Sequence, residues 1–290
     1  MSKKVLTVCT LGQRTGYGHL TRCKTLIDYI KNKEIRFSLL KLEDHKKNIE
    51  KIIYKRVKDF RPQIIIFDLG KNFLKPSLLG LIKKLKEEKY ILIGIDNLKI
   101  YYNYLDSVWI PSFFLEKKFR KKNILYGWDK FFLKKNNHIY KMNNKIVILT
   151  GAANNNFLPK HMPKVLEMNI PKTFQIIWVQ GKYAKKPKIN FESNRWKVLK
   201  NQKSYESYLF NAGYVLTLYG VSFYESLSCG VPTVCFPIGL NKKKDLKELS
   251  EIKKMNISMV EKDYKSAVKK LSILIKDKKK SMLFSKKSKI

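Results

Sequence analysis

The feature that most constrains this chain is an alternation. Short runs that are apolar on nearly every residue are each followed by a stretch with apolar residues at helical spacing. Val5–Thr10, Ile35–Leu42, Gln63–Leu69, Tyr90–Asp96 and Ser107–Ile110 read as strands, and His19–Lys31, Ile49–Phe60 and Pro76–Glu88 as helices. A strand apolar on both faces must be covered on both faces, so the pattern predicts a parallel sheet with helices on each side. It breaks over Phe131–Asn144, a segment rich in Lys and Asn without periodicity, and then restarts. Lys145–Thr150, Thr173–Val179, Trp196–Leu199, Tyr214–Leu218 and Thr233–Phe236 read as strands. Pro159–Met168, Ser204–Phe210 and Phe223–Cys229 read as helices, with two basic helices closing the chain. The expected architecture is α/β with two Rossmann-like domains, residues 1–140 and 141–290. With 44% hydrophobic residues in 290, the chain has the apolar material for two such cores. Ligands of such folds sit beyond the carboxyl ends of the strands, so the loops there should carry the chemistry.

The first such loop is Gly12-Gln13-Arg14-Thr15-Gly16-Tyr17-Gly18-His19-Leu20-Thr21-Arg22. Gly16 and Gly18 permit a tight turn and close approach of a ligand to the backbone. The helix that follows offers free amides to an anion. His19 stands at the helix start, where a neutral imidazole accepts a proton from water. Arg22, three residues on, shares its face and is a candidate phosphate contact. The bland alternative is a capping histidine and a solvated arginine.

The second loop lies in Thr217-Leu218-Tyr219-Gly220-Val221-Ser222-Phe223-Tyr224-Glu225-Ser226-Leu227, followed by Gly230-Val231-Pro232. Ser222 and Glu225 have the spacing of a capping box, which predicts Ser222 as the cap of the next helix with Glu225 reaching back. The functional alternative sets helix amides against a diphosphate and the carboxylate against ribose hydroxyls.

This second stretch resembles the donor-nucleotide motif of the GT-B glycosyltransferases, Gly-Gly-x-x-x-x-Glu-(x)-Leu followed by Gly-x-Pro. Together with Gly16-Tyr17-Gly18-His19-Leu20-x-Arg22, it is similar to one GT-B branch, the UDP-sugar hydrolases of pseudaminic acid biosynthesis and the related spore-coat polysaccharide proteins. These are relatives of the MurG transferases. Ile95-Asp96-Asn97-Leu98 and Leu149-Thr150-Gly151-Ala152 match further segments. The resemblance implies a GT-B fold with two parallel sheets facing a central cleft. The N-terminal domain would hold the catalytic base and the sugar, and the C-terminal domain the nucleotide. It also implies metal-independent hydrolysis of a UDP-linked deoxy-diacetamido sugar at the anomeric carbon, with His19 activating water. Gly220, Ser222 and Glu225 would hold diphosphate and ribose. Gly16, Gly18, Arg22 and Gly151 would line the substrate or its phosphates, and Asn241 would lie by the sugar. Three segments depart from the pattern: Tyr219 replaces a glycine, Gly151-Ala152-Ala153-Asn154 replaces Gly-Gly-Ser-Asp, and Asp68-Leu69-Gly70 replaces Asp-His-Tyr. They keep open a glycosyltransferase using a nucleotide-sugar donor, and a non-catalytic relative.

Composition narrows the remaining classes. Lys and Arg number 61 against 23 Asp and Glu, a net charge of +38. No nucleic-acid recognition motif accompanies it, so nucleic acid is not an expected partner. Lysine on solvent-facing helix positions absorbs most of the excess, and attraction to anionic lipid headgroups stays open. Only the C-terminal stretch, Asp277-Lys278-Lys279-Lys280 and then Lys286-Lys287, concentrates it. Cys9, Cys23, Cys229 and Cys235 form no CxxC pair and are expected reduced, with Cys9 and Cys235 in the core. The four histidines lack zinc spacing, no DxD pair is present, and the dinucleotide fingerprint is incomplete, so no cofactor is expected. No apolar run spans a membrane and no cleavage pattern follows the first strand, so a cytoplasmic location is expected.

Overall fold

The computed structural model describes residues 2–30, 34–127, 130–133, 137–151, 156–190, 194–200, 205–237 and 242–288, with the side chains of 242–246 left aside. The chain divides into two units, Met1–Phe132 and Leu133–Ile290.

The first unit runs β1 (Lys3–Leu11), α1 (Gly18–Ile30), β2 (Ile35–Glu43), α2 (Ile49–Phe60), β3 (Ile64–Asp68), α3 (Pro76–Glu87), β4 (Ile91–Ile95), β5 (Ser107–Ile110) and β6 (Ile124–Tyr126). The strands form one parallel sheet in the order β2-β1-β3-β4-β5-β6. Alternate residues of β1 serve opposite faces. Leu6 and Val8 join Ile53 and Val57 of α2 and Ile82 and Leu85 of α3, whereas Cys9 packs with Leu20 and Cys23 of α1. That double burial is why the strands are apolar throughout. Strand β6 was not anticipated: it is three residues long at the sheet edge, and only Ile124 is buried.

The second unit runs β7 (Lys145–Leu149), α4 (Phe157–Asn169), β8 (Gln175–Gln180), β9 (Trp196–Lys200), α5 (Glu206–Phe210), β10 (Tyr214–Leu218) and α6 (Val221–Ser228). It continues with β11 (Thr233–Phe236), α7 (Lys242–Met255), β12 (Met259–Val260), α8 (Tyr264–Lys276) and α9 (Lys278–Ser288). Its parallel sheet has the order β12-β11-β10-β7-β8-β9. Ile146 and Ile148 pack toward α4 and α8, and Val147 and Leu149 toward Leu209, Cys229 and Val231 on the other face. Two expectations are corrected. Helix α4 begins at Phe157, before Pro159, because a proline in the first turn gives up an amide that has no intrahelical partner there. The chain closes with three helices and a two-residue strand, not two helices.

Both sheets share one topological property. In the first, the connections from β1 to β2 and from β2 to β3 lead to opposite sides of β1, so the winding reverses between β1 and β3. In the second it reverses between β7 and β10. Such reversals leave a crevice beyond the carboxyl ends of the two strands.

Candidate active site and nucleotide loop

At the first reversal, the chain leaves β1 through a loop closed on itself. Gly12 N–H donates to Gly16 O at 3.2 Å and Gly16 N–H to Gly12 O at 2.8 Å. Asp44, just after β2, accepts from Arg14 N (2.7 Å), Thr15 N (3.3 Å) and Thr15 Oγ1 (2.8 Å). Gly12, at φ 154°, has no room for a side chain, since a Cβ would lie 2.2 Å from Asp44 Oδ2. Gly16, at φ 67°, takes the left-handed turn that leads into α1, of which Gly18 is the first residue. Gly12 and Gly16 therefore shape the loop, and Asp44 pins it, a role that no local pattern announces.

Helix α1 presents His19 and Arg22 to the end of β3. Asp68 is the last residue of β3 and lies in register with Cys9 of β1. His19 Nδ1 is 2.6 Å from Asp68 Oδ1. Arg22 donates from Nε to Asp68 Oδ2 at 2.8 Å and from Nη2 to Oδ1 at 2.6 Å. Cys23 Sγ adds a weak contact to Oδ2 at 3.6 Å. The Asp68 side chain is fully buried, whereas His19 keeps 15% of its side chain exposed. Burial alone would push the Asp68 carboxyl up, but Arg22 and His19 outweigh it and hold it well below the usual carboxylate range. Burial works against the charge on Arg22 as well, and Asp68, aided by Asp96, overrides it and keeps the guanidinium charged.

That arrangement selects a tautomer. An ionised carboxylate only accepts, so Nδ1, 2.6 Å from Asp68 Oδ1, carries the hydrogen in the neutral ring; Arg22 Nη2, a donor that would favour the other tautomer, stands farther from Nδ1, at 3.4 Å. Nε2 then holds the lone pair. Arg22, expected at a phosphate, has Nε and Nη2 engaged by Asp68. In the sequence Asp68 stands out only as part of a segment that departs from the family pattern. The signal was a carboxylate closing an otherwise apolar strand. Asp96, after β4, adds a non-glycine residue at φ 52°, and Asn97 Nδ2 donates to Leu69 O at 3.2 Å. Backbone outliers of this kind gather at sites.

At the second reversal, Gly151 (φ 76°) follows β7 and Gly220 (φ 157°) follows β10. No described atom lies within 4 Å of a Cβ built on either, so both positions face open space. Between Leu149 and Gly151, Thr150 is buried with no hydrogen-bond partner for its Oγ1 among the described residues. The expected capping box is corrected: α6 begins at Val221 with Gly220 as its cap residue and no side-chain cap. Gly220 at ψ −161° adopts a backbone essentially reserved for glycine, and the helix starts two residues early, with Ser222 inside it. Ser222 and Glu225 instead meet at Tyr205. The Tyr205 hydroxyl lies 3.0 Å from Ser222 Oγ and donates to Glu225 Oε2. Burial, then the Glu225 charge, pushes the Tyr205 phenol well up, so it stays a donor. Tyr205 gave no sequence signal. Tyr219, standing where the family has a glycine, sends its hydroxyl to Tyr224 (3.1 Å) and to buried Glu248 of α7 (3.4 Å). Asn241, with Ala152, Ala153 and Asn154, lies outside the described residues. Among the described residues no three His, Cys, Asp or Glu group as metal ligands, and no helix is long and apolar enough to cross a membrane.

No protein-family model matches the sequence, and no curated protein does. Solved structures match over nearly the whole chain. A glycotransferase of kitacinnamycin superposes with a TM-score of 0.68 at 11% identity, covering 99% of this chain and 94% of its own. A putative UDP-N-acetylglucosamine 2-epimerase from Listeria monocytogenes gives 0.66 at 10% identity, covering 98% and 91%. MurG from Acinetobacter baumannii gives 0.64 at 10% identity, covering 99% and 94%. The chain therefore has the α/β fold of the GT-B glycosyltransferases. These identities are too low to carry more than the fold.

Proposed function

We propose that the protein is an enzyme that cleaves the anomeric bond of a UDP-linked sugar, with water as the attacking group and His19 as the base. The observation that carries this reading is the buried carboxylate of Asp68 on His19 Nδ1, at 2.6 Å, which leaves Nε2 as acceptor. In the reaction, water oxygen bonds to the anomeric carbon as His19 Nε2 takes its proton. The bond from that carbon to the β-phosphate oxygen breaks, and UDP leaves with the electron pair. Asp68 stabilises the imidazolium that forms and fixes its orientation, the roles a buried aspartate plays beside a catalytic histidine. Arg22 keeps Asp68 ionised and in place.

The nucleotide is assigned to the second unit. The α6 amides beyond Gly220 favour the diphosphate. The hydroxyl of Thr150, buried without a partner among the described residues, suits a phosphate oxygen. Glu225, steadied by Tyr205, suits the ribose hydroxyls. The domain roles are the same proposal: base and sugar in residues 1–140, nucleotide in 141–290. The resemblance of Gly16–Arg22 to the hydrolase branch supports a deoxy-diacetamido sugar. Neighbouring structures solved with UDP or a UDP-sugar, such as Phytolacca americana UGT2 with UDP-2fluoro-glucose and pterostilbene, support the uridine donor.

The same base serves an acceptor hydroxyl equally well, and the glycosyltransferases among the structural neighbours favour that second reading. An NMR time course with UDP-activated deoxy-diacetamido sugar and no acceptor separates the two. Free sugar and UDP released by the parent protein, but not by His19→Ala, is the expected result. Bound nucleotide without release until an acceptor is added would assign a transferase. Neither binding nor turnover would overturn both readings and leave a non-catalytic relative.

A further inference from the structure

Helix α9 anchors by one apolar residue, Phe284, and turns its other two outward. Its buried side is Ser281, Phe284, Ser285 and Ser288. Its exposed side is Lys278, Lys279, Met282, Leu283, Lys286 and Lys287. The exposed residues recur as pairs every fourth position, so they stack on one face as lysines, an apolar pair, then lysines. At 1.5 Å per residue the pairs stand about 6 Å apart. Met282 and Leu283 are 41% and 42% exposed, while the inward serines satisfy themselves on backbone, Ser281 Oγ on Leu274 O at 2.9 Å and Ser288 Oγ on Ser285 O at 3.5 Å. A helix selected only to cover its core would turn its apolar pair inward.

The charge around this face has one sign. Residues 264–290 hold 10 lysines and one acid, Asp277. The Asp277 carboxylate is taken up at the start of α9, where Lys280 N–H donates to its Oδ1 at 2.9 Å. On the neighbouring α8, Ile273 is 52% exposed beside exposed Lys269, Lys270 and Lys276. One apolar pair is too small to form the core of a protein interface, and nucleic acid has no use for it. It does match the boundary between lipid headgroups and acyl chains, where lysine stems lie along apolar surface and their ammonium groups reach phosphates.

We infer that α9 docks on an anionic lipid surface, with Met282 and Leu283 at the headgroup–acyl boundary and the two lysine pairs on lipid phosphates. This inference is independent of the activity proposed above. The test is co-sedimentation of the full chain with phosphatidylcholine vesicles that contain or lack phosphatidylglycerol. Binding only to the anionic vesicles is expected. Met282→Ser with Leu283→Ser should weaken it, and each Lys→Gln at 278, 279, 286 or 287 should weaken it about fivefold. Changing Lys47, Lys51, Lys55 and Lys83, exposed on the first unit, to Gln controls for overall charge and should leave it near the parent's. The altered α9 side chains are exposed, so thermal melting should stay unchanged in every variant. Equal loss in the control, full binding by the α9 variants, or no binding by the parent would each overturn the inference. So would a Met282→Ser/Leu283→Ser variant that changes only the solution mass, which would assign the face to a second copy.

Discussion

His19 Nδ1 and Asp68 Oδ1 stand 2.6 Å apart, and the carboxylate is fully buried while the imidazole reaches solvent. Asp68→Asn keeps the shape and removes the charge. Its amide can present N–H to Nδ1, which moves the ring hydrogen to Nε2 and abolishes the acceptor. The expected loss in kcat is about 10²–10⁴-fold. Steady-state release of UDP measures it. Activity within threefold or so of the parent's would mean that Asp68 does not govern the histidine.

Arg22→Met separates two roles for the arginine. Removing it strips the buried Asp68 carboxylate of its guanidinium partner and leaves it His19 alone as a cationic one, which should cost about 3–5 kcal/mol of stability. Chemical denaturation reads that directly. A phosphate-binding arginine would instead weaken UDP binding and leave the denaturation midpoint in place.

Tyr205→Phe deletes the hydroxyl shared by Ser222 and Glu225 and nothing else. A hydrogen bond to a charged group is worth about 1.5–3 kcal/mol. The bond is made in the free protein, so its loss should lower folding stability by about that much, and Glu225, no longer held, should bind UDP more weakly and raise its Kd. Calorimetric titration checks it, and an unchanged or tighter Kd would remove Tyr205 from the nucleotide loop.

Two glycines offer a matched pair. Gly220 and Gly80 both have open space beside them. Gly80 lies within helix α3, so Gly80→Ala should stabilise by about 0.5–1 kcal/mol. Gly220 at φ 157° should lose about 1–3 kcal/mol as alanine, together with UDP affinity. Similar effects at the two sites would show that the Gly220 backbone is not under this constraint.

Acid stability should depend on Glu167. Burial raises its carboxyl, but hydrogen bonds from Lys172, Trp196 and Arg195 outweigh it and bring it from 4.5 to about 2. The folded value lies below the unfolded one, so the ionised form favours folding. The contribution is complete above 4.5 and is lost as pH falls toward about 2. Urea midpoints measured across that window should fall with pH in the parent and fall less in Glu167→Gln.

The alternation of apolar runs with helical spacing carried the α/β class, because a doubly covered strand must be apolar on every residue. It placed α2 at Ile49–Phe60, β5 at Ser107–Ile110 and β10 at Tyr214–Leu218 with the bounds that the structure has. The two loops were also legible, because glycines with a helix behind them leave a local pattern. Strand order leaves none. That the winding reverses at β1/β3 and β7/β10 is decided by which strands pair, and only there does Asp68 come to His19 across 49 positions of sequence. Tyr205 reaches Glu225 in the same way, across helix α5 and strand β10. The capping box failed because a glycine backbone, not a side-chain hydroxyl, starts α6. Local sequence determined which segments are strand, helix and loop. Tertiary pairing decided which carboxylate faces the histidine, because long-range electrostatic partners are chosen by strand register and burial rather than by spacing along the chain.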